Sequence, residues 1–122
     1  MTNVASTIGL IGSGNMASAM VGGWVKSDPE MAGRILVTDR GSGRADTLAS
    51  TYGVRHVVGN HELVEASTMV VLAVKPVDVE RVLREISDLI TPTKAIASVA
   101  AGVRIATLET ILDVDAPRWR RR

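Results

Sequence analysis

Three small residues at fixed spacing form the part of this sequence best suited to binding a ligand. Gly12, Gly14 and Ala17 make the pattern G-x-G-x-x-A. The first glycine permits a tight turn, the second lets a diphosphate approach the backbone, and the third small residue keeps a helix close to its sheet. Free N–H groups and the dipole at a helix start then favour the diphosphate. The pattern predicts a dinucleotide site wherever it joins a strand to a helix.

The neighbouring residues supply that strand and that helix. Val4 to Ile11 is a β-branched and aliphatic run, which favours a strand. From Asn15 to Lys26, apolar residues recur at helical spacing, which predicts a helix with one apolar face. A tight turn with a purely structural role is the alternative, and this context favours dinucleotide binding over it. A P-loop is excluded, because no Gly-Lys-Ser/Thr sequence follows the glycines.

The rest of the chain alternates strands with helices. Further strands are predicted at 34–39, 54–58, 68–74 and 95–99. Helices are expected up to Tyr52, from an N-cap at Asn60, from Pro76 to Ile90 and over 105–112. Such alternation implies a parallel sheet covered by helices on both faces, in the strand order 3-2-1-4-5. We therefore predict a single α/β domain over residues 1–114, a doubly wound Rossmann-type sheet of about five strands, followed by an irregular basic tail at 115–122.

Two side chains of opposite charge follow the second predicted strand. At this strand tip an acidic side chain accepts from the ribose hydroxyls of NAD, whereas an arginine pairs with the 2′-phosphate of NADP. Asp39 and Arg40 supply both. Ser42 and Arg44 add a donor and a positive charge, and a phosphate would repel Asp39 unless its carboxylate turned away. The sequence favours NADP, with NAD and a plain solvated loop as the alternatives.

Lys75 and Pro76 follow a strongly apolar predicted strand at its carboxyl end, where ligands bind in open α/β sheets. Pro76 fits the first turn of a helix and restricts Lys75 to extended backbone angles. Lys75 is a candidate for the nicotinamide side of the ligand, and a surface lysine ahead of a helix is the equal alternative. His56 and His61 lack a cysteine or carboxylate cluster at metal-ligand spacing, so we expect neither a metal site nor a catalytic group.

Composition limits the class of protein. The 122 residues include no cysteine, which argues against disulfides and makes the cytoplasm the default compartment. No apolar run reaches the roughly 20 residues that a membrane helix needs. The formal net charge is only +1, and much of the basic excess lies at the C-terminal end. We therefore expect neither a membrane nor nucleic acid as a partner.

Several segments resemble pyrroline-5-carboxylate reductases, which reduce a cyclic imine to proline with NADPH or NADH. The segments include IGLIGSGNMASAM at 8–20, VTDR at 37–40, LAVKP at 72–76 and SVAAGV at 98–103. Together they follow one another in order over nearly the whole chain. The resemblance implies an NAD(P)H-dependent imine reductase of proline biosynthesis.

The resemblance also implies which residues bind the cofactor. The glycine turn would wrap the pyrophosphate, the end of the second strand and Asn60 would meet the adenosine side, and two later segments would line the nicotinamide half. Only the glycine turn and the strand tips also follow from physical reasoning. The predicted cofactor-binding residues are Ile11, Gly12, Ser13, Gly14, Asn15, Met16, Thr38, Asp39, Arg40, Asn60, Ala73, Val74, Lys75, Pro76, Ala100, Ala101 and Gly102.

The resemblance ends near the C-terminus. Pyrroline-5-carboxylate reductases continue into another strand and a helical domain that forms homo-oligomers and completes the imine site, whereas this sequence ends in an arginine-rich segment. We therefore expect a truncated chain that holds the cofactor-binding half and has little or no turnover alone. Two alternatives stay open: the cofactor domain of an NADP oxidoreductase dependent on coenzyme F420, and a non-catalytic nucleotide-binding module.

Overall fold

Strands and helices alternate along the chain in a computed structural model that describes residues 6–98. The strands are β1 (Ile8–Ile11), β2 (Ile35–Thr38), β3 (Arg55–His56), β4 (Met69–Leu72) and β5 (Ala95–Ser98). The helices are α1 (Asn15–Ser27), α2 (Arg44–Tyr52), α3 (Asn60–Ala66) and α4 (Pro76–Ile86), with 3-10 helices at Pro29–Arg34 and Ser87–Leu89. The predicted last helix, at 105–112, lies outside the described residues.

The five strands form one parallel sheet in the order β3-β2-β1-β4-β5, which confirms the predicted order and fold class. The central strands are in level register. Ile11 of β1 lies opposite Thr38 of β2 and Leu72 of β4. The loops that follow these three strands therefore meet at one edge of the sheet, the carboxyl edge, where open α/β sheets bind ligands.

Both faces of the sheet are buried, which explains the apolar strands. Leu36 and Val37, neighbours on β2, are fully buried and belong to two different core clusters. Successive residues of a strand point to opposite faces, so one cluster lies on each side of the sheet. Val21 of α1 packs with Val37 on one side, and Leu83 of α4 packs with Leu36 on the other. The sheet is thus doubly wound, as the alternating sequence predicts.

Helix α3 packs closely against β1. A Cβ added at Gly9 would lie 2.5 Å from Cδ2 of Leu63 and would collide with Oγ of Ser67. The Ser67 hydroxyl is itself fixed, because it donates to the carbonyl of Leu63 at 2.6 Å. No side chain larger than hydrogen fits at Gly9 unless the helix moves away from the sheet.

The structure corrects two predicted helix boundaries. Asn60 is the first residue of α3 rather than its N-cap, because Gly59 takes the cap position with φ +95°. Helix α4 ends at Ile86, and a 3-10 turn covers Ser87–Leu89 where the sequence predicts a continuous helix. The Ser87 hydroxyl donates to the carbonyl of Arg84 at 3.2 Å, which competes with a further α-helical turn.

Candidate functional site

The glycine turn lies at the centre of the carboxyl edge. The N–H of Gly12 donates to the carbonyl of Thr38 at 3.0 Å, and the N–H of Ala73 donates to the carbonyl of Ile11 at 2.8 Å. These bonds extend the β1–β2 and β1–β4 ladders by one step and hold the start of the turn between the two neighbouring strands. The position of the turn is therefore fixed by the backbone of the sheet.

Gly12 is required by the chain itself. Its φ is +107°, and a Cβ there would lie 2.8 Å from the carbonyl carbon of Ala73. Both the left-handed backbone and the contact exclude a side chain. Gly12 thus makes the tight turn that the sequence pattern predicts.

Gly14 is not required in this way. Its φ of −77° suits any residue, and it is the N-cap of α1. The nearest neighbour of a Cβ added there would be a guanidinium nitrogen of Arg44, at an ordinary contact distance of 3.6 Å. The folded chain would accept a methyl group at this position. The fold itself therefore does not need the space above Gly14, which opens onto the cleft.

The start of α1 offers hydrogen-bond donors to that open space. The first bond within the helix joins the N–H of Ser18 to the carbonyl of Gly14 at 2.9 Å. The N–H groups of the three preceding residues have no acceptor within the helix, and no side chain caps this end. Together with the helix dipole, they form a site suited to a diphosphate.

Asp39 is held by four hydrogen bonds at the tip of β2. Its oxygens accept from the backbone N–H groups of Gly41 (2.8 Å) and Ala45 (2.8 Å) and from the hydroxyls of Ser42 (3.0 Å) and Ser13 (3.4 Å). Burial alone would raise the pKa of Asp39, but these four donors outweigh it and lower the pKa to about 2. Since Ala45 lies in the first turn of α2 and the N-cap, Gly43, has no side chain, Asp39 takes over the capping of that helix.

The loop after Asp39 carries two arginines toward the glycine turn. Gly41 and Gly43 have φ values of +94° and +86°, which lets the chain turn sharply from β2 into α2. Arg40 and Arg44 both line the cleft above Gly14. They lie beside a carboxylate that already accepts four hydrogen bonds from its own chain, three of them at Oδ2, and their two positive charges exceed its single negative one.

Helix α4 forms the opposite wall of the cleft. Lys75, Asp78, Arg81 and Val82 line it, and Arg81 pairs with Asp78 across 3.5 Å. The sequence prediction included Lys75 but missed the other three. Asp78, Arg81 and Val82 follow Lys75 at spacings that place them on one face of a helix. This spacing could have identified them from the sequence.

The cleft has a volume of about 420 Å³ and unites most of the predicted site. Four basic side chains line it against two acidic ones, Asp39 and Asp78, and both of these are already bonded. The predicted residues that line the cleft are Ile11, Gly12, Ser13, Gly14, Asp39, Arg40, Asn60, Ala73, Val74 and Lys75. Ser42 and Arg44, which the sequence named as supporting groups, line it as well.

Four predicted residues lie outside the lining of the cleft. Asn15 and Met16 form the first turn of α1, and Pro76 begins α4, so these three contribute backbone geometry. Thr38 is 1% exposed, and its carbonyl positions Gly12. Its hydroxyl has no hydrogen-bond partner among the residues that the structure describes. The predicted Ala100, Ala101 and Gly102 are outside the described range.

Residues 6–98 contain no group of three or more histidine, cysteine, aspartate or glutamate side chains placed to hold a metal ion. His56 and His61 are both exposed. Within these residues, no helix has the length and apolar character needed to cross a bilayer.

The fold and the glycine turn define a Rossmann domain of the dinucleotide-binding class. A model of the family described as NADP oxidoreductase, coenzyme F420-dependent, matches residues 7–102. The chain belongs to this family. That description matches one of the alternatives drawn from the sequence.

Individual relatives carry the name of the family that the sequence resembles. Pyrroline-5-carboxylate reductase 3 from Danio rerio is 38% identical over 105 residues, which cover 86% of this chain and 36% of the relative. Pyrroline-5-carboxylate reductase from Pseudomonas aeruginosa is 33% identical over 90% of this chain and 40% of its own length. The solved pyrroline-5-carboxylate reductase of Coxiella burnetii is 34% identical with a TM-score of 0.82, covering 88% of this chain and 40% of that one. The chain thus spans about 40% of the length of these proteins.

Proposed function

We propose that this chain is the NADP(H)-binding domain of a pyrroline-5-carboxylate reductase. The open space above Gly14 carries the proposal, because nothing in the fold requires a glycine there. A diphosphate in that space would meet the unpaired N–H groups of α1 and the cations of the cleft. The curated relatives supply the reaction: in the whole protein, bound NADPH would provide the hydride that reduces the cyclic imine to proline.

The bonding of Asp39 supports NADP over NAD. Recognition of NAD at this position needs a carboxylate that is free to accept from the ribose hydroxyls. Asp39 already accepts four hydrogen bonds from its own chain. Arg40 and Arg44 line the same part of the cleft and supply the positive charge that a 2′-phosphate requires. The sequence left the acid and the arginine in conflict, and these contacts support NADP.

The remaining assignments stay predictions. They are the domain limits of 1–114 with a tail at 115–122, the cytoplasmic location, and self-association in the whole protein. Within the cleft, the glycine turn and Lys75 are proposed to face the pyrophosphate and the nicotinamide half. No catalytic residue is assigned to the chain.

Two glycine substitutions test the proposal. Replacing Gly14 by alanine should cost less than about 1 kcal/mol of stability, since the methyl group fits and only the cap is weakened. It should raise the Kd for NADPH at least about tenfold, because the methyl group fills the diphosphate space. Gly12→Ala should cost more than about 2 kcal/mol, since it forces a side chain into a left-handed conformation. Calorimetric titration and urea unfolding measure both effects.

Gly23→Ala is the matched control. Gly23 lies in the same helix, and a Cβ added there meets nothing within 4 Å. This variant should bind NADPH like the unmodified chain and gain stability, since alanine is the better helix former. If Gly14→Ala also bound NADPH with unchanged affinity, the glycine turn would have only a structural role and the proposal would fail.

The family description favours a second candidate, the cofactor domain of a coenzyme F420-dependent NADP oxidoreductase. Both candidates predict NADP binding, so binding of the second ligand, coenzyme F420, distinguishes them. Fluorescence titration of the NADP-loaded chain with coenzyme F420 tests it directly. Saturable binding would favour this candidate over the imine reductase.

A further inference from the structure

Glu85 contacts the wall of the cleft from outside. Asn60, partly buried at the start of α3, lines the cleft, whereas Glu85 is exposed in the last turn of α4. Nδ2 of Asn60 donates to Oε1 of Glu85 at 3.0 Å. Nε2 of His61 lies 3.1 Å from the carbonyl oxygen of Glu85 and is the donor there, because a carbonyl only accepts. Two bonds therefore tie the start of α3 to the end of α4.

The first of these bonds determines which way the Asn60 amide faces. An ionised carboxylate only accepts, so the nitrogen of Asn60 must be the atom turned toward Glu85. The amide is planar, and its oxygen lies on the other edge. Oδ1 is thus turned away from Glu85, which leaves it available to accept a hydrogen bond from a ligand in the cleft.

We propose that Glu85 is a positioning residue, which orients Asn60 to accept a hydrogen bond from the adenosine half of NADPH. The inference rests on the proposed function. The adenosine half offers two donors, the amino group of adenine and the 3′-hydroxyl of the ribose. The ionised 2′-phosphate offers no donor to Oδ1, so it is not the partner proposed for this oxygen. Asn60 thus recognises a different part of the nucleotide from the two arginines.

If Glu85 acted only through its negative charge, its replacement would strengthen NADPH binding, whereas a positioning role predicts weaker binding. A carboxylate near the cleft repels an anionic ligand, so its removal would strengthen NADPH binding. If Glu85 instead positions Asn60, Glu85→Ala releases the amide and weakens NADPH binding about three- to tenfold. Glu85→Gln removes the same charge but keeps an oxygen that accepts from Asn60, so its Kd should stay within about twofold of the original.

Calorimetric titration of the 122-residue chain with NADPH separates these cases. The variants are Glu85→Ala, Glu85→Gln, Asn60→Ala and the double variant of Asn60→Ala with Glu85→Ala. Since Glu85 acts through Asn60, the double variant should bind no more weakly than Asn60→Ala alone. Glu80→Ala is the control, because Glu80 lies on the same helix and pairs with Arg84 at 3.6 Å, and its affinity should not fall. Urea unfolding verifies that each variant is folded.

A NADPH analogue with hypoxanthine in place of adenine identifies the donor. If the adenine amino group is the donor, Asn60→Ala should cause no loss of affinity for this analogue. If the ribose hydroxyl is the donor, the loss of affinity should persist. Undiminished NADPH binding by Glu85→Ala, or additive losses in the double variant, would overturn the inference and leave the proposed function standing. A folded chain that binds no NADPH at all overturns both.

Discussion

Asp39 combines a structural role with a position on the wall of the cleft. Its carboxylate caps α2 through Ala45 and holds the loop through Gly41. The same bonds occupy most of its acceptor sites, while its negative charge remains and is exceeded by the two neighbouring arginines. Asp39 thus contributes to stability, and under the proposed function its hydrogen bonds also favour NADP over NAD.

Replacing Asp39 by asparagine should destabilise the fold in a pH-dependent way. Its pKa in the folded chain is about 2, below the ordinary value of 3.8, so the ionised form stabilises the fold. That contribution is complete above the unfolded pKa and is lost as the pH falls toward the folded pKa. Because the carboxylate is partly exposed, we expect Asp39→Asn to cost about 1 to 2 kcal/mol at pH 7.

Urea unfolding at several pH values measures this effect. The difference in free energy of unfolding between the chain and Asp39→Asn should stay constant from pH 7 to about pH 5 and shrink between about pH 4 and pH 2. Asp46→Asn is the control. Asp46 lies in the first turn of α2, the helix that Asp39 caps, but it takes no part in the hydrogen bonds of Asp39. A difference that stays constant down to the lowest pH would show that ionisation of Asp39 is not its source.

Among single residues, the sequence predicts those cleft residues that lie close to the end of a strand. The glycine turn, the strand tips and Lys75 follow from residues adjacent to a strand end. Asp78 and Arg81 were missed, because their part in the cleft depends on how α4 lies over the sheet edge. The sequence also could not show that Asp39 already accepts hydrogen bonds from its own chain. It gives the neighbouring residues but not the direction of their N–H groups.

Among the elements, Lys94 connects α3 to the start of β5. Its Nζ donates to the carbonyls of Val64 at 2.8 Å and Glu65 at 3.4 Å, and to that of Ser67. Carbonyls at the end of a helix lack partners within it, and a lysine there both bonds them and complements the helix dipole. The lysine thus fixes the end of α3 against the strand that follows Lys94.

Lys94→Met should therefore cost about 1 to 3 kcal/mol, because methionine keeps the length of the side chain but removes these hydrogen bonds from the carbonyls, of which that of Val64 keeps the N–H of Ser67. Lys26→Met removes the same charge from an exposed lysine of α1 and should change stability by less than about 1 kcal/mol. Urea unfolding compares the two. Amide hydrogen exchange should also quicken in β5 only in the Lys94 variant, and equal losses in the two variants would argue against the connection.

Element order could be predicted from the sequence, whereas close contacts could not. The alternation of apolar runs gave all five strands and their order, because parallel β-α-β units leave few topologies. The N-cap at Asn60 was wrong, since the preceding Gly59 adopts a φ of +95° and takes the cap position. The need for Gly9 was equally hidden, because Leu63 and Ser67 approach it from a distant part of the chain.

Across the whole molecule, the balance of charge differs from that of the cleft. The chain carries a formal net charge of only +1, yet the cleft gathers four basic side chains around two acidic ones that are already bonded. Coulomb interactions weaken beyond a Debye length of about 10 Å at 0.1 M salt, so a bound anion responds mainly to this local excess. The cleft therefore favours an anionic ligand that the molecule as a whole would attract only weakly.

NADPH should consequently stabilise the entire fold more than NADH. A ligand at 100 times its Kd adds about 2.7 kcal/mol to the free energy of unfolding, which raises the Tm of a domain of this size by roughly 10 °C. At equal concentrations NADH should raise the Tm less, since only NADPH carries the 2′-phosphate. Arg44→Leu should reduce the shift given by NADPH more than that given by NADH, because Arg44 lines the cleft beside Gly14 and NADPH adds a 2′-phosphate to the diphosphate that both nucleotides carry.

Thermal unfolding followed by circular dichroism, with each nucleotide and with none, measures these shifts. Arg55→Leu is the control: Arg55 is exposed on β3 and absent from the lining of the cleft, so it changes the net charge by the same amount. If both arginine variants lowered the NADPH shift equally, long-range charge rather than a local contact would be responsible. Equal shifts from NADPH and NADH in the unmodified chain would contradict the preference for NADP, because the 2′-phosphate would then contribute nothing.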